Sequence, residues 1–331
     1  MTRLDLRALP LYRAVRMRAI LIPRDGGGGL RRVLLPAVIG LAVLGLVGTS
    51  CRSGPGGSSG SLTVVAAFYP VFEAAERVGG ALVDVTDLTA PGVEPHDLEL
   101  TPDQVEAIAT ADVVLYVGAG FQPGVQDAVG DARGVTVDLL AGLPTVEPPG
   151  GSEQGLTADP HVWLDPELYA RMVDEVRHAL ATAAPDDAST FRSNARSFTD
   201  AISRLADEYR AGLATCQRTL IVTNHAAFGY LASEYGLTQE AISGVAPDAE
   251  PSAQRLAELR DLVQRRGITT IFTEDLVSPK VAETLAEEAG VRTAVLHTLE
   301  GLTDEEIAAG DDYGSQMQEN LSTLRTALGC S

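Results

Sequence analysis

The sequence is short of positive charge. Of 331 residues, 25 are Lys or Arg against 45 Asp or Glu, and Lys280 is the only lysine. A chain with a formal net charge of -20 repels phosphate backbones, which excludes general nucleic-acid binding. No phosphate-binding P-loop occurs, and Gly118-Ala119-Gly120 does not go on to complete the G-x-G-x-x-G of a dinucleotide-binding turn. A His-Glu-x-x-His helix is missing too, and with it the usual zinc-hydrolase pattern. No segment repeats at a fixed period. Apolar residues are not scarce: 45% hydrophobic against 21% charged is the composition of a folded globular protein, and the length allows two domains of ordinary size.

The charge is unevenly placed. Residues 1–51 hold 8 Arg and 2 acids, so the remainder carries 17 basic against 43 acidic groups, a net of -26. Within that first stretch, Arg31-Arg32 precede an apolar run over 33–47 that ends in Gly48-Thr49-Ser50-Cys51. A basic region, about fifteen apolar residues and a small-residue exit are the parts of a secretory signal, and the run falls short of the roughly 20 residues of a membrane-spanning helix. Residues 1–50 are therefore expected to be a signal peptide, with an uncut N-terminal anchor as the alternative. Cys51 stands where a bacterial lipoprotein is lipidated, although Gly48 replaces the larger aliphatic residue usual three positions earlier. Residues 51–61 follow as a Gly/Ser-rich tether of random-coil character. An exported chain left with Cys216 and Cys330 is expected to join them in a disulfide, two buried thiols being the alternative.

Short apolar strands alternate with helices through the rest of the chain. Residues 62–67, 81–88, 112–117 and 135–139 read as strands, with a helix over 101–109 capped by Thr101-Pro102. Residues 219–223, 269–273 and 293–296 read as strands in the second half, among helices at 228–235, 256–266 and 280–289 and a final one carrying Met317, Leu321, Leu324 and Leu328. Such alternation predicts an α/β fold with parallel sheets. Between the halves, Phe191, Phe198, Ile202, Leu205, Tyr209 and Leu213 form one helical stripe. The expected organisation is an N-terminal α/β lobe at 62–184, a connecting helix at 185–215 and a C-terminal α/β lobe at 216–331.

The chain has five histidines, and three sit in turns with unusual company. His96 lies in Gly92-Val-Glu94-Pro-His96-Asp97, His161 in Asp159-Pro-His161-Val-Trp163-Leu-Asp165-Pro166, and His225 in Thr223-Asn224-His225. His96 and His225 come where a strand hands over to a helix, the place at which open α/β sheets build ligand sites. For any single histidine, a ring satisfied by a nearby backbone group remains the simpler account.

The order GVEPHDLELTPDQ, DPHVWLDP, TNHAAFGYL, TEDLVSPK and Ala309-Gly310-Asp311-Asp312-Tyr313 resembles the zinc/manganese substrate-binding lipoproteins of bacterial metal ABC importers, the zinc-type members of cluster A-I. The likeness runs through essentially all of 62–331. It implies two Rossmann-like lobes joined by a long rigid helix, with a metal site in the interlobe cleft. Carried over by position, the metal ligands are His96, His161, His225 and Asp311. Three imidazoles and a carboxylate suit Zn²⁺; manganese-type members tend to place a carboxylate where this chain has His225, and harder oxygen donors suit Mn²⁺. For the fourth position Glu94, Glu274, Asp312 or a water are the alternatives, the other expectation for Glu94, Glu274 and Asp312 being a place behind the ligands. Asp97, Asp165, Asn224 and Ser243 are further candidates for orienting the imidazoles. His178 and His297 match no ligand position, and 143–159 lacks the histidine-rich loop of many zinc-type members.

The resulting expectation is a non-enzymatic, extracytoplasmic protein that captures Zn²⁺ and delivers it to the permease of an ABC importer. It is expected to be a monomer held at the outer face of the cytoplasmic membrane by a lipid on Cys51. A manganese-binding homologue, and a zinc-dependent hydrolase using Glu94 or Glu274 as base, are the alternatives.

Overall fold

The computed structural model describes residues 61–149, 155–247 and 249–331. The expected signal, Cys51 and all but the last residue of the tether lie outside the described residues. Each half of the described chain is built on a four-stranded, wholly parallel sheet.

The first half runs β1 (Leu62–Ala66), α1 (Tyr69–Gly79), β2 (Val83–Asp87), α2 (Pro102–Thr110), β3 (Val113–Tyr116), α3 (Pro123–Ala128), β4 (Val135–Asp138) and α4 (Pro166–Ala183). Its strand order is β2-β1-β3-β4. α2 starts where the sequence says it should: Thr101 Oγ1 accepts from Gln104 N while the Gln104 side chain reaches back to Thr101 N, and Pro102 fills the first helical position. Asp165 takes the same role for α4, its Oδ1 accepting from Glu167 N at 2.8 Å, so it serves the helix end and not an imidazole. The Gly118 loop packs against β4: Gly118 N donates to Asp138 Oδ1, and a Cβ there would collide with that carboxylate. Close packing accounts for that glycine without any nucleotide.

A short turn at Pro185–Asp187 leads into α5 (Ala188–Leu213), whose 26 residues span about 39 Å. Its buried face is Phe191, Ala195, Ile202, Leu205, Ala206, Tyr209 and Leu213, the expected stripe with Phe198 only partly covered and set edge-on to Tyr169. One continuous apolar core runs from the first sheet along α5 into the second half. A helix packed along its length in this way behaves as a strut.

The second half runs β5 (Leu220–Thr223), α6 (Gly229–Glu234), β6 (Thr238–Ala241), α7 (Ala253–Arg266), β7 (Thr270–Thr273), α8 (Lys280–Ala289), β8 (Arg292–Val295), α9 (Asp304–Ala309) and α10 (Tyr313–Leu328). Its strand order, β6-β5-β7-β8, repeats that of the first sheet. β6 was not expected from the sequence, because Thr-Gln-Glu-Ala at a sheet edge buries only its last residue and has no apolar run to announce it. Cys216 and Cys330 are joined by a disulfide that ties the end of α10 to the segment after α5. Among the described residues no helix is long and apolar enough to cross a membrane.

Candidate metal centre

Four imidazole or carboxylate groups facing one point, and a fifth group, a carboxylate behind one of them, follow the carboxyl ends of five strands. His96 comes after β2, His161 after β4, His225 directly after β5, Glu274 directly after β7, and Glu300 after β8. In a parallel sheet all strand ends of one sense lie on one side, so the connecting loops gather there.

Glu300 is the centre of the cluster. Its Oε1 lies 3.3 Å from His96 Nε2, 3.0 Å from His161 Nε2 and 3.4 Å from His225 Nε2. The Nε2 atoms of His161 and His225 are themselves 3.3 Å apart. One donor atom from each of His96, His161, His225 and Glu300 falls within 4.8 Å of all the others. The side chains are 5%, 0%, 0% and 1% exposed, in that order. The sequence offered this cluster its three histidines and hid its carboxylate.

The other ring nitrogens are held by carboxylates. His161 Nδ1 donates to Asp159 Oδ1 at 2.8 Å, and His225 Nδ1 donates to Glu274 Oε2 at 2.6 Å. Each carboxylate also accepts from the backbone N–H of its own histidine, at 3.1 and 3.0 Å. A proton fixed on Nδ1 leaves the Nε2 lone pair of a neutral ring directed into the cluster, as metal coordination needs. Glu94 Oε1 accepts from His96 N at 3.0 Å, while its Oε2 is buried with no hydrogen-bond partner. Aromatic rings close the apolar side: Phe121 lies edge-on to His96 at 4.6 Å and Trp163 is 5.1 Å from His161.

Electrostatics follow from this packing. Burial alone draws the His225 imidazole down, but the charges of Glu274 and Glu300 outweigh it and hold its pKa well above the ordinary value. His161 is likewise raised, its bonds to Asp159 and Glu300 overcoming burial. For His96 burial prevails and the pKa falls, even with Glu300 pulling the other way. Burial pushes Glu300 up, yet the His225 charge and its bonds to the histidines keep it ionised well below the usual carboxylate range. Burial, and then the Glu300 charge, push Glu94 up to about 9. The ionised carboxylate of Glu300 and the two raised imidazoles thus favour each other's charged forms.

Two expected residues lie elsewhere. Asp311 does not join the histidines: its Oδ1 accepts from Ser315 Oγ at the α9–α10 junction. Asp312 caps α10, accepting from Ser315 N, and pairs with Arg77 of α1 at 2.6 Å. The Gly-Asp-x-Tyr pattern is a helix junction, with Gly310 left-handed at φ 84° ending α9, Asp312 starting α10, and Tyr313 buried. Asn224 and Ser243 line a cavity of about 350 Å³ together with Glu94 and Asp97. His178 is on the outer face of α4, 59% exposed. Glu300 and Asp159 are the members of this cluster that the sequence reading missed. The sequence offers for Glu300 only an acid a few residues past a strand, and for Asp159 an acid two residues before a histidine.

Hydrogen bonds cross between the halves around this point. Trp163 Nε1 donates to Thr298 O at 2.8 Å, Tyr313 Oη to Trp163 O at 2.8 Å, and Tyr230 Oη to Asp159 O at 2.8 Å.

Comparison with known proteins agrees with this architecture. The family model described as zinc-uptake complex component A, periplasmic, matches residues 64–327. The zinc-binding lipoprotein AdcA of Streptococcus pneumoniae serotype 4 is 38% identical over 281 residues, covering 81% of this chain and 56% of its own. This chain therefore spans little more than half the length of the streptococcal relatives it matches. The high-affinity zinc uptake system protein ZnuA of Bacillus subtilis is 35% identical over 297 residues, covering 85% of this chain and 92% of its own. The crystal structure of the Zn(II)-bound ZnuA-like domain of Streptococcus pneumoniae AdcA superposes with a TM-score of 0.71 at 39% identity, over 81% of this chain and 99% of that one.

Proposed function

The chain belongs to the family of periplasmic zinc-uptake component A proteins, and from that premise we propose that it captures Zn²⁺ outside the cytoplasmic membrane through His96, His161, His225 and Glu300 and hands it to the permease of an ABC importer. The observation that carries the reading is the spacing of the four donors. A tetrahedral zinc with bonds of about 2.0–2.1 Å sets its ligand atoms about 3.3–3.4 Å apart. The Nε2 atoms stand 3.0–3.4 Å from Glu300 Oε1, and those of His161 and His225 stand 3.3 Å from each other. Three nitrogen donors and one oxygen favour zinc over manganese.

Glu300 replaces Asp311 as the fourth ligand in this reading. Asp159 and Glu274 orient two of the imidazoles and raise their basicity. Ligands drawn from both halves make the ion a bridge between them, and α5 limits their relative movement to a small tilt.

The site is read as one of capture and not of catalysis. A catalytic zinc keeps a position open for water beside a general base. Here the Nε2 atoms of His96, His161 and His225 and one oxygen of Glu300 supply four protein donors, the full tetrahedral number, and Glu274 is occupied by His225. Export, lipidation of Cys51 and a monomeric state complete the proposal; the first two rest on the basic and apolar pattern of residues 1–51.

Competitive titration of the chain from residue 52 with Zn²⁺ and Mn²⁺ tests it. One tightly bound zinc, with manganese bound far more weakly, is expected; a manganese preference or weak binding of both would refute the assignment.

A further inference from the structure

Glu300 reaches the histidines through a backbone turn that other residues must hold. Leu299, fully buried, has a φ of 56°, in the left-handed region that residues with a Cβ rarely adopt. Its N–H donates to His297 Nδ1 at 2.8 Å. The backbone of residue 297 is clamped in turn by Asn320 of α10: His297 N donates to Asn320 Oδ1 and Asn320 Nδ2 to His297 O, each at 2.7 Å. Beyond the turn, Thr298 Oγ1 donates to Glu300 Oε2 at 2.9 Å.

We propose that His297 is a positioning residue for the zinc site: its Nδ1 holds the Leu299 N–H, and with it the left-handed turn that aims Glu300 Oε1 at His96, His161 and His225. The inference rests on Glu300 being a zinc ligand. A buried N–H without an acceptor is costly, so losing Nδ1 releases the turn.

The same bond decides what the outer side of His297 can do. An imidazole that accepts at Nδ1 carries its proton on Nε2 when neutral. That Nε2 faces Glu306 Oε1 at 3.2 Å and Asp275 Oδ2 at 3.6 Å. His297 first, with Thr303, holds the Glu306 carboxyl down to about 2, so it is ionised and can only accept. Asp275, His297 and Glu306 have donor atoms close enough to hold a metal ion. Nε2 makes no hydrogen bond of good geometry to either carboxylate, and its proton stands where the metal would need a lone pair. Among the described residues this leaves one metal site.

The test is zinc affinity of the full chain, by competition, for His297→Ala, His297→Asn and His297→Gln, each alone and with Glu300→Gln. Losing an orienting partner lowers metal affinity by roughly 10–100-fold, and His297→Ala is expected in that range. His297→Asn recovers most of the loss, because its Oδ1 can accept from Leu299 N–H in place of Nδ1. His297→Gln does not, since its amide reaches toward Glu306. With Glu300→Gln already present, His297→Ala lowers affinity no further. The Asn320 clamp uses only the backbone of residue 297 and survives every variant. An equal loss with and without Glu300, rescue by Gln in place of Asn, or two zinc ions per wild-type chain would overturn the proposal. A metal-free structure of His297→Ala separates this claim from the zinc assignment: Glu300 Oε1 leaving its place 3.0 Å from His161 Nε2 supports it, and an unmoved carboxylate refutes it whatever the ligand.

Discussion

Glu274 Oε2 accepts from His225 Nδ1 at 2.6 Å while its Oε1 accepts from His225 N at 3.0 Å, so one carboxylate fixes both the tautomer and the backbone of one histidine. Both groups follow strands, β5 and β7, that are hydrogen-bonded neighbours in the second sheet. Asp159 does the same for His161 in the first half. Glu274→Ala is expected to weaken zinc binding by roughly 10–100-fold, with Glu274→Gln less affected because its one amide oxygen can accept from His225 Nδ1 at the expense of the bond from His225 N. Isothermal competition with a chelator of known affinity measures both.

The identity of the fourth ligand gives a sharper contrast. Glu300→Gln keeps the shape and removes the charge that sits 3.0–3.4 Å from three imidazoles, and zinc affinity is expected to fall by at least about two orders of magnitude. Asp311→Ala is expected to leave it unchanged, since that side chain bonds to Ser315 and stands outside the histidine cluster. Zinc titration of the two variants side by side decides between them.

How far the sequence could be read follows from the same residues. The three histidines were legible because the residue is rare in this chain and two of them stand where strands end. α5 was legible because its apolar side chains repeat at helical spacing over about six turns. Glu300 was not, being one of 45 acids and lying in no motif; its role depends on a left-handed turn at Leu299 that no local pattern announces. Asp311 drew attention through Gly310 and Tyr313, which belong to the ending of one helix and the start of the next.

Zinc binding must release the protons held at the site, so affinity rises with pH. Imidazoles at the ordinary pKa near 6.5 would let the rise level off just above that value. With His161 and His225 raised, the rise is expected to continue well beyond it. Competitive titration from about pH 6 to about pH 9 reads the slope, and a plateau by about pH 7 would contradict the arrangement.

Stability of the metal-free chain has the opposite sense on the alkaline side. The His225 contribution is fully present below the ordinary imidazole pKa and is lost as pH rises through the raised folded value. The Glu300 contribution is present above the ordinary carboxylate pKa and is lost as pH falls through its lowered folded value. Denaturant midpoints are therefore expected to fall as the metal-free chain is taken from mildly acidic to alkaline pH. Zinc-loaded chain should show no such fall, because the ion replaces the protons.

The disulfide bears on stability and not on the ion. Cys216 and Cys330 close a loop of 114 residues, which the chain-entropy account values at about 4–5 kcal/mol. Cys216→Ser with Cys330→Ser is expected to lower unfolding free energy by up to that amount in urea titration, while zinc affinity at native conditions stays unchanged.

Zinc itself reports most directly on the central claim. Anomalous diffraction at the zinc edge from crystals of the zinc-loaded protein is expected to show one peak per chain, bound by the Nε2 atoms of His96, His161 and His225 and by Glu300 at about 2.0–2.2 Å. A peak coordinated by Asp311 without Glu300, or one placed among Asp275, His297 and Glu306, would contradict the account.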